Sequence, residues 1–177
     1  MSDSTTNAYS IWLAPNAETP AYRRLQETIA ECAAAHDTPV FEPHITVIGG
    51  VSRTRSSLTE TLRRLAAETP PLEVAFEGVR CSTTRHQCVF LSVRPSPTLL
   101  NLHESARETV GEPPLAYHPH LSLVYGDLGI DRRFEITDSL DTESLPGQIE
   151  CSVLTLVDTT GPEAAWDPVA SVSLSNR

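Results

Sequence analysis

Pro43-His44-Ile45-Thr46-Val47-Ile48 returns 76 positions later as Pro119-His120-Leu121-Ser122-Leu123-Val124. Each copy reads as a short buried strand, interrupted by a histidine and, two residues on, by a hydroxyl. Strand residues i and i+2 share a face, so each copy sets an imidazole beside a hydroxyl and turns the aliphatic residue between them the other way. Two such pairs facing each other supply two proton-transfer groups and two hydrogen-bond donors around one small anion. That is the equipment of a phosphoester-cleaving site with no need of a metal.

A bare His-x-Ser/Thr match is weak evidence, since a chain with 6 histidines yields roughly one by chance. His103-Glu104-Ser105 is such a match, but Pro97 to Arg107 reads as a helix, where i and i+2 do not share a face. The two strand copies add a preceding proline and matched aliphatic positions. Their flanks match as well. Tyr9-Ser10-Ile11-Trp12-Leu13 reads as a strand, followed by Thr19-Pro20 opening a helix on which Leu25, Ile29, Cys32 and Ala33 recur at helical spacing. Cys88 to Val93 reads as the corresponding strand, and Ser96-Pro97 opens the corresponding helix. A strand, a Pro-started helix and a His-x-Thr/Ser strand thus occur twice, as a duplicated unit.

The remaining patterns place a helix from Leu58 to Ala66 and a wet-faced strand from Leu72 to Val79, paired with residues 87–94 through a turn at 82–86. Asp131 to Leu140 reads as a short helix or irregular segment. Strands follow from Ile149 to Val157 and from Val169 to Leu174. The expected fold is α+β: one domain over 1–177, with lobes at about 8–80 and 86–157, a final strand at about 165–175, and the site in the cleft between lobes.

Composition narrows the function. No apolar run approaches the ~18 residues of a membrane span, and Met1-Ser2-Asp3-Ser4-Thr5-Thr6-Asn7 lacks the features of a signal peptide. The expectation is a cytoplasmic monomer. All 13 basic residues are arginine, against 23 acidic ones, for a net charge of -10. Such a surface suits a salt-rich cytoplasm of halophilic type, although a GC-rich genome gives the same lysine loss. It disfavours a broad nucleic-acid patch and leaves room for one phosphate in a pocket. Cys32, Cys81, Cys88 and Cys151 lack C-x-x-C spacing and read as free thiols.

His44 and His120 are the candidate acid/base pair, since imidazole titrates near neutral pH. Thr46 and Ser122 are the candidate phosphate ligands. Tyr125, at the strand end, reaches toward the cleft, while Trp12 either stacks on a nucleobase or packs in the core. One imidazole is expected neutral and the other protonated at rest. His118 and His120 form an H-x-H pair without a third ligand at useful spacing, so no metal is expected. His36 reads as a helix-end cap and His86 as a solvated turn residue.

These residues resemble the 2H phosphoesterase superfamily, and within it the cyclic phosphodiesterases of plants and yeast. The resemblance rests on Tyr9-Ser10-Ile11-Trp12, on Pro43 to Val47, on Pro119-His120-Leu121-Ser122-Leu123-Val124-Tyr125-Gly126-Asp127, and on Trp166-Asp167-Pro168-Val169. Ile48-Gly49-Gly50 after the first motif is similar to that group rather than to the bulkier ending of the 2′-5′ RNA ligase-like branch. The resemblance implies two pseudo-symmetric lobes of antiparallel sheet with outer helices around a cleft. It implies hydrolysis of 2′,3′-cyclic nucleotides to 2′-nucleotides, and of ADP-ribose 1″,2″-cyclic phosphate, without metal or cofactor. By motif, His44 and His120 become acid and base, Thr46 and Ser122 phosphate ligands, Tyr125 a substrate contact and Trp12 the tryptophan near the cleft. The segment after Asp127 is shorter and less helical than in the plant proteins, and no disulfide carries over.

The expected partner is a small cyclic-phosphate nucleotide. An RNA terminus is the alternative, and Arg53 and Arg55 are the nearby cations that it would use. A nucleotide-binding module without turnover is the alternative of another class, but pure binding has no need of two proton-transfer groups.

Overall fold

Ser/Thr-Pro pairs start two of the helices, as their sequence demands. Thr19 Oγ1 accepts from the Tyr22 amide (3.2 Å) and Ser96 Oγ from the Leu99 amide (3.3 Å), with Pro20 and Pro97 in the first turn. Each such cap contributes about 1 kcal/mol, and proline there gives up no helical hydrogen bond. The computed structural model describes residues 7–175. In chain order the elements are β1 (Tyr9–Pro15), α1 (Pro20–His36), β2 (Ile45–Val51), α2 (Arg55–Glu68), β3 (Leu72–Cys81), β4 (Val89–Val93), α3 (Pro97–Val110), β5 (His120–Val124), α4 (Ile130–Ser139), β6 (Gln148–Asp158), a 3-10 turn (Glu163–Ala165) and β7 (Asp167–Ser173). The segment after Asp127, left between helix and irregular chain by its sequence, is the ten-residue helix α4. Residues 1–6, the polar N-terminal stretch, lie outside the described residues.

The sheet order is β1-β2-β5-β4-β3-β6-β7, and β1 also pairs with β6, so six antiparallel strands close on themselves while β7 extends β6. The two motif strands, β2 and β5, meet at one residue pair, Ile45 opposite Leu121. Those are the central residues of the two copies. Antiparallel pairing through that point sets His44 across from Ser122 and Thr46 across from His120. The duplication is therefore a local two-fold, centred on the seam of the sheet. Ile45 and Leu121 are 0% exposed, and burial of two such side chains contributes about 1.5–3 kcal/mol each.

The hydrogen-bonded halves interleave the sequence. β3, from the first span of the chain, pairs with β4, and β6, from the second, pairs with β1. The helices cross over too: α1 packs on β5, α3 on β2, and α4 on β3 and β4. The two lobes thereby share one core, running from Leu13 and Ile29 through Ile45 and Leu121 to Leu154. Among the described residues no helix is long and apolar enough to cross a membrane.

Candidate active site

Both motif imidazoles are held by the same device. His44 Nδ1–H donates to the Glu42 carbonyl (2.7 Å), and His120 Nδ1–H donates to the His118 carbonyl (2.8 Å). In each case the acceptor is the carbonyl two residues back, so the strand itself fixes ring plane and tautomer, and Nε2 is the nitrogen without a proton. The H-x-H pair is thus a ring resting on a carbonyl. Among the described residues no group of three His, Cys, Asp or Glu is placed to hold a metal ion.

Around these rings opens a cavity of about 460 Å³, lined by His44, Thr46 and His120 from the motifs. Gly49 and Gly50 form the wall beside Thr46. A Cβ on Gly49 would sit 3.2 Å from Ser10 Oγ, and Gly50 has φ +68. Glycine at both positions keeps that wall low and lets the strand turn away.

Three of the expected site residues have partners of their own. Trp12 stacks on His44 itself, with ring centroids 3.6 Å apart and planes 9° apart. Its face toward the imidazole is therefore taken, although its edge still lines the cavity. Tyr125 lies at the floor, only 3% exposed, and its hydroxyl donates to His44 Nε2 (3.2 Å). Ser122 is 4% exposed, and its hydroxyl donates to the His86 carbonyl at 2.7 Å rather than facing the cavity. The site is two-fold in its imidazoles but not in its hydroxyls.

The helical match at His103 stays out of the cleft. His103 Nδ1–H donates to the Val47 carbonyl (2.8 Å), and its ring stacks on Tyr117, whose hydroxyl donates to the Thr46 carbonyl (2.9 Å). It buttresses the first motif strand from behind.

Burial is the leading influence on the charge of both motif rings. It draws His44 down from 6.5 to about 4, opposed by the Glu42 carbonyl and helped by the nearby His120 and His86. Burial also lowers His120. Burial thus favours the neutral form of both rings. There is a stability consequence. The unfolded chain takes up the His44 proton near pH 6.5 and the folded chain only near pH 4. The folded state accordingly loses about 3 kcal/mol as pH falls through that window, and nothing from this group above it. Urea midpoints at pH 7, 5 and 4 should fall more steeply for the wild type than for His44→Gln; parallel curves would contradict the assignment.

Sequence reasoning missed four cleft-side residues: Arg85, His86, Arg133 and Glu163. Arg85 donates to Glu163 (2.7 Å and 3.2 Å) and to Asp127, holding the Glu163 carboxyl down at about 2. His86, read as a solvated turn residue, lines the cavity and has its Nε2 3.1 Å from Glu163. Arg133, on α4 and 4% exposed, donates to the carbonyls of Ser82, Thr84, Gly126 and Leu128. Partners more than 40 residues away leave no local signal for any of these contacts except those of Arg133 to 126 and 128.

A closed antiparallel sheet with outer helices thus carries two His-x-Thr/Ser strands paired at its seam. The comparisons agree on the fold. Escherichia coli LigT, solved with ATP, superposes with TM-score 0.64 at 15% identity over 98% of this chain and 100% of that one. A structure described as a phosphoesterase gives 0.66 at 16% identity over 96% and 99%.

Residues 7–174 match the cyclic phosphodiesterase-like protein family, and the chain belongs to it. The cyclic phosphodiesterase of Arabidopsis thaliana is 24% identical over 99% of both chains. The 2′,3′-cyclic-nucleotide 3′-phosphodiesterase of Kluyveromyces lactis is 28% identical over 67% of this chain, which spans only 64% of that protein.

Proposed function

We propose that the protein hydrolyses ribose 2′,3′-cyclic phosphates, breaking the P–O3′ bond and leaving the phosphate on O2′. The reading is carried by the paired imidazoles, each locked through Nδ1 to a carbonyl of its own strand, with Nε2 of His44 reached by the Tyr125 hydroxyl that the attacking water displaces. His44, buried and favoured in its neutral form, takes a proton from water as the water oxygen bonds to phosphorus. The electron pair of the P–O3′ bond leaves on O3′, which receives the Nε2 proton of His120, the more exposed ring, in its imidazolium form. Thr46 donates to a non-bridging oxygen, and Trp12 stabilises the imidazolium that His44 becomes. The names of the yeast and plant relatives support this class of substrate.

The surroundings favour a small substrate. A larger groove of about 790 Å³ continues past Trp12 and His44, walled by Phe41 and Trp166 and carrying Glu18, Glu42 and Glu163. Aromatic walls suit a nucleobase. The carboxylates disfavour an RNA tail and the diphosphate of an ADP-ribose cyclic phosphate. Arg53 and Arg55, the cations an RNA end would need, are engaged by the Val110 and Val169 carbonyls and do not line the cleft.

The test is incubation with 2′,3′-cyclic AMP in EDTA and high salt, with the product identified by phosphorus NMR. The expected product is 2′-AMP, formed at an undiminished rate with chelator. Strict dependence on added metal would sink the mechanism, whereas 3′-AMP would move the broken bond to P–O2′ and leave the acid/base pair in place.

A further inference from the structure

The proposed reaction sets a phosphate anion in a cavity that has no permanent cation. Among the described residues no arginine lines it, and the chain contains no lysine. Arg85, the nearest by sequence to the cleft wall, is committed to Glu163 and Asp127. The hydroxyls are unequal as well. Thr46 lines the cavity, while Ser122, its two-fold counterpart, has its proton on the His86 carbonyl. One side of a bound phosphate therefore lacks the donor that the duplicated motif should supply.

His86 stands on that side. It lines the cavity together with both motif histidines, and its side chain is 51% exposed. Its ring is fixed edge-on against Tyr125 (4.9 Å) and tilted against Trp166 (5.3 Å). Its Nε2 lies 3.1 Å from Glu163 Oε1, on a carboxyl whose own side chain is only 6% exposed. An ionised carboxylate only accepts, so Nε2 must carry a proton. Nδ1 is then the ring's remaining polar atom, a lone pair when the ring is neutral and a donor when it is protonated.

The geometry points to His86, oriented by Glu163, as a third imidazole of the site that in its protonated form donates Nδ1–H to a non-bridging oxygen of the bound phosphate. It supplies the donor that the Ser122 hydroxyl, turned to the His86 carbonyl, does not. The groups facing it are Glu163 and Trp166 from the segment before β7, Tyr125 at the end of β5, Arg85 and Thr84 from its own loop, and His44 across the cavity. The role is in binding, since proton transfer to and from the reacting oxygens remains with His44 and His120. This inference rests on the proposed phosphate chemistry of the cleft.

The test compares wild type with His86→Gln and His86→Ala on 2′,3′-cyclic AMP at about pH 6 and pH 8.5, on either side of the usual imidazole range. A lost charge-assisted hydrogen bond raises KM about tenfold at the lower pH and leaves kcat within about threefold. At the higher pH the KM difference closes. His86→Lys, which restores a cation, recovers part of the low-pH affinity and abolishes its dependence on pH in this range. An unchanged KM at pH 6, or a rise of the same size at both pH values, overturns the proposal; the latter marks a purely structural loop residue. Calorimetric titration with inorganic phosphate gives a readout independent of turnover. If the wild type hydrolyses no cyclic nucleotide but loses phosphate affinity on His86→Gln at pH 6 alone, the proposed reaction fails and the phosphate contact stands. Melting curves identify any variant whose loop fails to fold, and His86→Gln, which keeps the backbone carbonyl used by Ser122, then decides.

Discussion

His44→Gln and His120→Gln should each lower kcat on a 2′,3′-cyclic nucleotide by about 10³-fold, within the 10²–10⁴ range for removal of a positioned proton-transfer group. Glutamine is chosen because it fills much of the same space and keeps a polar end without a titrating proton. The two variants should differ in their pH profiles. Wild-type kcat/KM rises with pH as the base in the free enzyme loses its proton, with His44 held at about 4, and falls once the acid is deprotonated. His44→Gln should erase the acidic limb and His120→Gln the alkaline one. The opposite pattern would exchange the two roles, and near-normal turnover in either variant would remove that histidine from the mechanism.

Arg133→Met should destabilise the fold by at least about 3 kcal/mol. The guanidinium is 4% exposed and donates to four backbone carbonyls, those of Ser82, Thr84, Gly126 and Leu128. A methionine of similar length fills the space but leaves the buried Gly126 carbonyl and three partly buried ones without this donor, at about 1–3 kcal/mol for each that water does not reach. Arg133→Lys should rescue little, because a single ammonium cannot reach acceptors spread around a planar fork. Urea denaturation measures both effects, and a loss below about 1 kcal/mol for Arg133→Met would show that water satisfies those carbonyls. The clamp also has a functional reach. Its acceptors flank the loop carrying Arg85, His86 and Gln87, so a variant that still folds should show a raised KM.

The local elements were legible because their causes are local. Thr19-Pro20 and Ser96-Pro97 start helices through a side-chain oxygen three residues from its amide, and Ile45 and Leu121 alternate with their polar neighbours on a pleated strand. The His103 match was separable on the same ground, since its helical context points it at the Val47 carbonyl. Trp12 was ambiguous between core and cleft because a mid-strand aromatic suits either; in the fold it packs against a functional ring. The partner of the Ser122 hydroxyl could not be read from spacing. A hydroxyl rotates toward the nearest acceptor, and the nearest acceptor, the carbonyl of His86, comes from a loop 36 residues away.

The sequence by itself determined that two imidazole–hydroxyl strands exist, that each follows its own strand and helix, and that the chain has no lysine with which to bind its anion. Periodicity, capping and composition need only neighbours. Tertiary structure alone decided that the copies pair at Ile45 and Leu121, that β3 and β6 exchange between halves, and that His86 joins the motif histidines in lining the cavity. Those outcomes follow from closing a sheet on itself. Closure brings together side chains that no spacing along the chain relates.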